Sequence, residues 1–288
     1  MDRFDRIPET ALGWHRAGRG AALATVVETW GSAPRRVGAQ LAVSGEGEIE
    51  GSVSGGCVEG AVVAEALEAI EAGAPRLLTF GVSDADAFAV GLACGGTIRV
   101  LVEPVGTALP EALLETLVAH RTERRPVACV FDLEGARRPR LETEGHAERF
   151  RMDRSGVEAD GRSFVAVHNP PLRLIVVGAV HIAQALVPMA RRAGYDPVLI
   201  DPREAFGSEA RFPGERILHD WPDEAVAAVG LDTRTAVVLL THDPKLDDPA
   251  LAEALRSPAF YIGALGSTRT HAKRVARLTE AGFTEAEI

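Results

Sequence analysis

The chain has 288 residues, a net charge of −10, 46% hydrophobic and 25% charged residues, a balance that suits a globular protein of two domains or one large one. The acidic balance argues against nucleic acid as the main partner, because phosphate backbones call for a dense basic patch. Three cysteines, Cys57, Cys94 and Cys129, give neither a disulfide framework nor a CxxC zinc pair. A reducing compartment follows, and with no apolar leader and no bilayer-length apolar run the cytoplasm is the expected location.

The N-terminal half reads as mixed α+β. Residues 21–30 (AALATVVETW) and 39–53 predict strands with turns at the glycines. Residues 57–73 predict a helix, since Val58, Val62, Ala66 and Ile70 recur every four positions opposite Glu65, Glu68 and Glu71. Strands are expected at 75–82, 97–104 and 126–133, and a helix at 108–121. Residues 134–163 are charged and poor in pattern, which predicts a connecting region with a hairpin near its end. HNPP (168–171) stiffens the chain and stops any helix.

Beyond it, apolar strands alternate with helices. Strands are predicted at 172–178, 197–202, 235–243 and 259–266, with a short one in RILHDW. Helices are predicted at 181–194, 223–230, 246–257 and 267–282, with a weak one in EAFGSEARF. Such alternation means a parallel sheet covered on both faces. The fold class expected is α/β: a mixed α+β N-terminal domain (1–133), a connecting region (134–170), and a Rossmann-like, doubly wound parallel-sheet domain (171–288).

Four segments could carry chemistry. In GSVSGGCVEG (51–60), Gly55 and Gly56 precede a helix that begins near Cys57. Backbone amides there are expected to face an anionic ligand, and the helix start to favour the Cys57 thiolate. A packed helix–strand corner is the plain alternative. GLACGGTIRV (91–100) sets Cys94 beside Gly95 and Gly96, and thiolates suit a soft or sulfur-rich ligand. Cys129 lies in a strand pattern and reads as core. In WGSAPRRVGAQ (30–40), Arg35 and Arg36 sit in a loop and could reach an anion or simply be solvated. The first turn of the second domain, VVGAVHIAQAL, places Gly178, Val180 and Ala183 where a dinucleotide fingerprint has three glycines. Val180 obstructs a pyrophosphate, although Asp201 stands where a ribose-binding acid belongs. The carboxyl ends of the parallel strands collect His181, Asp201, Arg203, Thr241, His242, Asp243, Gly263, Gly266, Ser267 and Arg269 along one crevice. GALGSTRTH (263–271) offers a second glycine turn into a helix, with Arg269 and His271 near its start.

Taken together, GSVSGGCVEG, LACGGTIRVLVEP, NPPLRLIVVGAVHIAQAL, VLIDPR, THDPKLDDPAL and FYIGALGSTRTH resemble the XdhC/CoxI family of molybdenum-enzyme accessory proteins, in order and over nearly the whole chain. The resemblance implies a chaperone rather than an enzyme. It would bind molybdenum cofactor (molybdopterin), shelter it while a cysteine desulfurase supplies sulfide, and deliver it to an apo molybdenum hydroxylase of the xanthine dehydrogenase or carbon monoxide dehydrogenase type. It places Cys57 and Cys94, with their neighbours Gly55, Gly56, Gly95 and Gly96, at the cofactor site, the two thiols as candidate molybdenum contacts; the loop and strand-end readings add Arg35, Gly178, His181, Asp201, Gly266 and Arg269 as candidate cofactor-binding residues. A homodimer is expected, since it would cover an exposed ligand. Two departures from the family pattern stand out. GAVHIA replaces the family's GAGHVG, and the chain stops at FTEAEI, so the second domain is expected to lack its usual C-terminal end. The alternatives are an NAD(P)-dependent oxidoreductase, suggested by the second domain alone, and a metal-dependent hydrolase built on His181, His242 and Asp243.

Overall fold

The computed structural model describes residues 6–31, 35–81, 96–135 and 137–288. They divide after Pro170 into two units.

The first unit is built on a five-stranded antiparallel sheet ordered β3-β2-β1-β5-β4. Its strands are β1 (Ala21–Gly31), β2 (Gln40–Ser44), β3 (Ile49–Gly51), β4 (Arg76–Gly81) and β5 (Gly96–Pro104). Alternation along β1 sends side chains to two separate cores. Ala22, Ala24 and Val26 pack with helix α2 (Glu59–Ala72), while Ala21 and Leu23 pack with helix α1 (Ile7–Arg16). Helix α2 buries Val62, Ala66 and Ala69. A strict four-residue row drifts around a 3.6-residue helix by about 40° per step, so Ala69 turns inward where the spacing pointed to Ile70.

Residues 134–163 differ from the expected connection. They carry β7 (Arg140–Glu142), helix α4 (Ala147–Met152) and β8 (Gly156–Val157), following helix α3 (Glu111–Thr122) and β6 (Val127–Asp132) and preceding β9 (Ser163–His168). The strands form a second sheet ordered β7-β6-β9-β8. Two- and three-residue strands are too short to show a period of two. Antiparallel ladders join them, β8 and β9 forming the hairpin expected near the region's end, and side-chain pairs add to these: Arg162 with Asp132, Arg149 with Glu158 and His146 with Glu142. Phe131, Phe164 and Cys129 of this sheet join the α1-side core. Cys129 is buried, as its strand pattern predicts, and burial pushes its thiol pKa well up.

The second unit is a fully parallel sheet ordered β12-β11-β10-β13-β14. It comprises β10 (Arg173–Val177), α5 (His181–Arg192), β11 (Asp196–Ile200), β12 (Ile217–Leu218), α6 (Pro222–Val229), β13 (Thr235–Leu239), α7 (Pro244–Leu255), β14 (Tyr261–Ala264) and α8 (Thr268–Glu280). Continuous burial along β10 and β11 reflects helices on both faces. The order reverses between β10 and β13, which makes this a Rossmann-type sheet. The weak helix expected in EAFGSEARF is absent. Isolated turns take its place, with Phe206 N–H donating to Arg203 O and Phe212 N–H to Ser208 O. Gly207 and Pro213 interrupt any longer ladder. Among the described residues no helix is long and apolar enough to cross a membrane.

Candidate functional site

Strand register puts Trp30, Gly31 and Gly96 at one end of the first unit's sheet. Gly31 at the end of β1 pairs with Gly96 at the start of β5, and Gly81 at the end of β4 pairs with Thr97. Strand β3 stops short of that end, at Gly51 opposite Leu41 and so level with Ala24 of β1, and the loop 52–58 leads from it into α2. Arg35 reaches the same loop, its Nε donating to the Ser52 carbonyl at 3.1 Å. Cys94 and Gly95 lie outside the described residues.

Within the loop the structure corrects the expected anion cradle. The amides of Val53 and Ser54 donate to Glu59 Oε1 at 3.2 and 2.9 Å, and the Gly56 amide donates to Oε2 at 2.8 Å. The Ser52 hydroxyl donates to Oε1 at 2.7 Å, and the Ser54 hydroxyl donates to Oε2. The Gly55 amide goes to Ser52 Oγ at 2.9 Å. The chain supplies its own anion, because the carboxylate on the first residue of α2 reaches back to the loop amides ahead of it. Burial alone would raise the Glu59 pKa, but the Ser54 and Ser52 hydroxyls and the Ser54 amide outweigh it and bring it down to about 2. Gly55 and Gly56, at φ 77° and 114°, let the backbone bend around that carboxylate. Cys57 is left exposed at the crest of the loop.

Glu59 is missed by a reading that takes only Glu65, Glu68 and Glu71 from this helix, though an acid in the first turn of a helix is the natural partner for the amides before it. Trp30, 80% exposed at the same sheet end, is also missed by a reading that treats 21–30 only as a strand. In the same unit a cleft of about 920 Å³ opens beside Glu28, Thr29 and Arg36, and its far wall is formed by residues of α4 and β8. That volume accommodates a drug-sized ligand.

In the second unit the first Rossmann turn is closed. Asp201, at the end of β11, has no exposed surface. Its Oδ2 accepts the Ala179 amide at 2.8 Å, and Arg203 grips both oxygens at 2.8 Å. Burial raises the Asp201 pKa, but the Arg203 fork and the Arg203 and Ala179 amides more than reverse this, so it stays ionised. Arg211 ties down the other side, donating to the Ala179 carbonyl at 2.8 Å. Gly178 has φ 108°, and a Cβ there would lie 2.6 Å from Thr241 Cγ2. The expectation that Asp201 serves a ribose is therefore corrected: its oxygens are sealed and satisfied by the chain itself. His181 is exposed at the start of α5, and Gly266 and Arg269 are exposed at the β14–α8 turn. Among the described residues no three His, Cys, Asp or Glu side chains come together as a metal site, so His181, His242 and Asp243 do not form the metal centre of a hydrolase.

The chain thus joins an antiparallel-sheet unit that presents a glycine-flanked thiol to a Rossmann unit whose first turn is closed by Asp201 and Arg203. Residues 174–288 match the XdhC Rossmann domain, and residues 14–81 match the XdhC and CoxI family. The chain is 34% identical to the molybdenum cofactor insertion chaperone PaoD of Escherichia coli K12, over 94% of this chain and 74% of that protein. It is 24% identical to a probable xanthine dehydrogenase subunit from Bacillus subtilis 168, over 86% of this chain and 79% of that one. A crystal structure described as a xanthine dehydrogenase from Bacillus halodurans shares the fold, with a TM-score of 0.75 over 93% of this chain and 84% of that one at 24% identity. The chain belongs to the XdhC/CoxI family.

Proposed function

We propose that the protein is a carrier that binds molybdenum cofactor as cargo at the Cys57 loop of the first unit, protects it during sulfuration by a cysteine desulfurase, and passes it to an apo molybdenum hydroxylase. The observation that carries this reading is the exposed Cys57 on a loop fastened by Glu59. An internal carboxylate that consumes the loop amides holds the thiol at a fixed place without burying it. A soft sulfur donor there suits the metal–dithiolene end of the cargo. Arg35 at the loop and Arg36 on the 920 Å³ cleft add cationic groups for its phosphate. Cys94 and Gly95, which precede Gly96 in the sequence, are proposed as further cofactor-binding residues. The buried, satisfied Asp201 leaves a dinucleotide ribose without its usual acceptor, so NAD(P) chemistry has no place in this reading.

The test is activation of an apo-hydroxylase by cofactor-loaded chain. Wild-type protein is expected to restore hydroxylase activity, and Cys57→Ala, loaded under the same conditions, to restore a small fraction of it. Equal activation by both proteins would remove Cys57 from the site.

A further inference from the structure

A second basic cleft lies one strand away from the closed dinucleotide turn. It has a volume of about 230 Å³ and sits where β13 and β14 end, between the first turns of α7 and α8. Ligands of open parallel sheets bind beyond the carboxyl ends of the strands. Here the switch point itself is occupied by Asp201, Arg203 and Arg211, and the accessible concavity is its neighbour.

The charge of the cleft does not cancel. Arg269, Lys273 and Arg277 recur every four residues along α8 and share one face. Asp248 takes Arg277, with a 2.9 Å contact to Nη2. Asp247 faces Arg274 Nη2 at 3.5 Å. Arg269 and Lys273, by contrast, have no ion pair among the described residues, so two cations remain uncompensated. Arg274 lines the cleft and is only 3% exposed. Its Nη1 and Nη2 donate to the Ala264 and Leu265 carbonyls, and its Nε has no hydrogen-bond partner. Those carbonyls and Asp247 fix the guanidinium in the cleft wall as a permanent positive charge. His242 completes the wall with φ 62°, held there as its amide donates to Asp247 Oδ2 at 3.1 Å. The volume falls below the range usual for drug-sized ligands and fits a small multivalent anion.

We infer that this cleft is a phosphoryl-binding site, contacted by Arg269 and Lys273, that takes the phosphate or diphosphate group of a small molecule. The inference does not depend on Cys57 or on the cargo reading. Its probe, inorganic pyrophosphate, can succeed or fail whatever the fate of molybdopterin at the first unit.

Calorimetric titration of the full chain with pyrophosphate at low ionic strength tests it. Wild type is expected to give saturable binding that weakens as salt is added. Arg269→Ala and Lys273→Ala are each expected to weaken it about tenfold, the usual scale for losing a charge-assisted hydrogen bond. Both side chains are solvated and unpaired, so unchanged melting temperatures would show that the fold is intact. Arg216→Ala, an exposed cation outside the cleft, is expected to bind as wild type. No saturable binding by wild type, or equal affinity in the Arg269→Ala/Lys273→Ala double variant, would overturn the inference. Repeating the titration on cofactor-loaded chain identifies the source of the phosphoryl group. Blocked binding means the cargo's own phosphate occupies the cleft, and unchanged binding means a separate small molecule does; either result supports the site.

Discussion

Replacing Glu59 by Gln removes one charge and little volume, yet it should loosen the whole loop that carries Cys57. Oε1 accepts three donors and Oε2 accepts two. A carboxamide replaces one acceptor oxygen with an NH2 group, so at least two donors lose their acceptor whichever way the amide is turned. The pKa of Glu59 falls from 4.5 to about 2 on folding. At about 1.36 kcal/mol per unit this would be worth about 3 kcal/mol in a dry site. The group is partly solvated, so about 1–2 kcal/mol is the appropriate figure. Because the folded pKa is depressed, this stabilisation is complete above pH 4.5 and is lost as the pH falls toward 2. Amide hydrogen exchange reads it directly. Near neutral pH, Val53, Ser54 and Gly56 are expected to exchange about tenfold faster in Glu59→Gln, while Val176 in the core of β10 is unaffected. Equal exchange of the three loop amides in both proteins would refute the carboxylate staple.

Two further substitutions test the frame around the sites. Glu103 on β5 is 5% exposed, and burial raises its pKa to about 8. The folded state holds that proton more tightly than the unfolded one, so wild type should lose stability as pH rises from 4.5 through 8, and Glu103→Gln should remove this decline and gain about 3 kcal/mol at pH 7 in denaturant unfolding; parallel pH profiles would contradict this. Gly178→Ala puts a Cβ 2.6 Å from Thr241 Cγ2 and 3.3 Å from its amide nitrogen at a φ of 108°, which should cost about 2 kcal/mol and lower the melting temperature of the second unit by roughly 5–10 °C; an unchanged melting curve would show that the turn is not tight.

Much of the architecture is written in local pattern. The second unit could be read strand by strand because buried parallel strands such as LRLIVVG and TAVVLLTHD are continuous apolar runs ending in turn signals, and amphipathic helices separate them. The second sheet of the first unit was legible only in part: β6 falls within the strand expected at 126–133 and β8 pairs with β9 as a hairpin, but β7 is too short to show a period. The site was half legible. Glycine next to Cys57 marked the loop, and Arg35 did come to it. The tenant of the loop amides did not show, because a glycine turn ahead of a helix points equally to an external anion and to Glu59, three residues from Gly56. Asp201 shows the same limit in another form. Its position at the end of β11 is set by sequence, but its sealing depends on Arg203, Arg211 and the Gly178–Val180 turn meeting in space.

The amount of molybdopterin and molybdenum bound per chain, after anaerobic purification from a host that makes the cofactor, bears most directly on the carrier reading. Wild type should retain both in a fixed ratio to protein, and Cys57→Ala should retain far less. Wild-type protein free of pterin and metal under these conditions would contradict it.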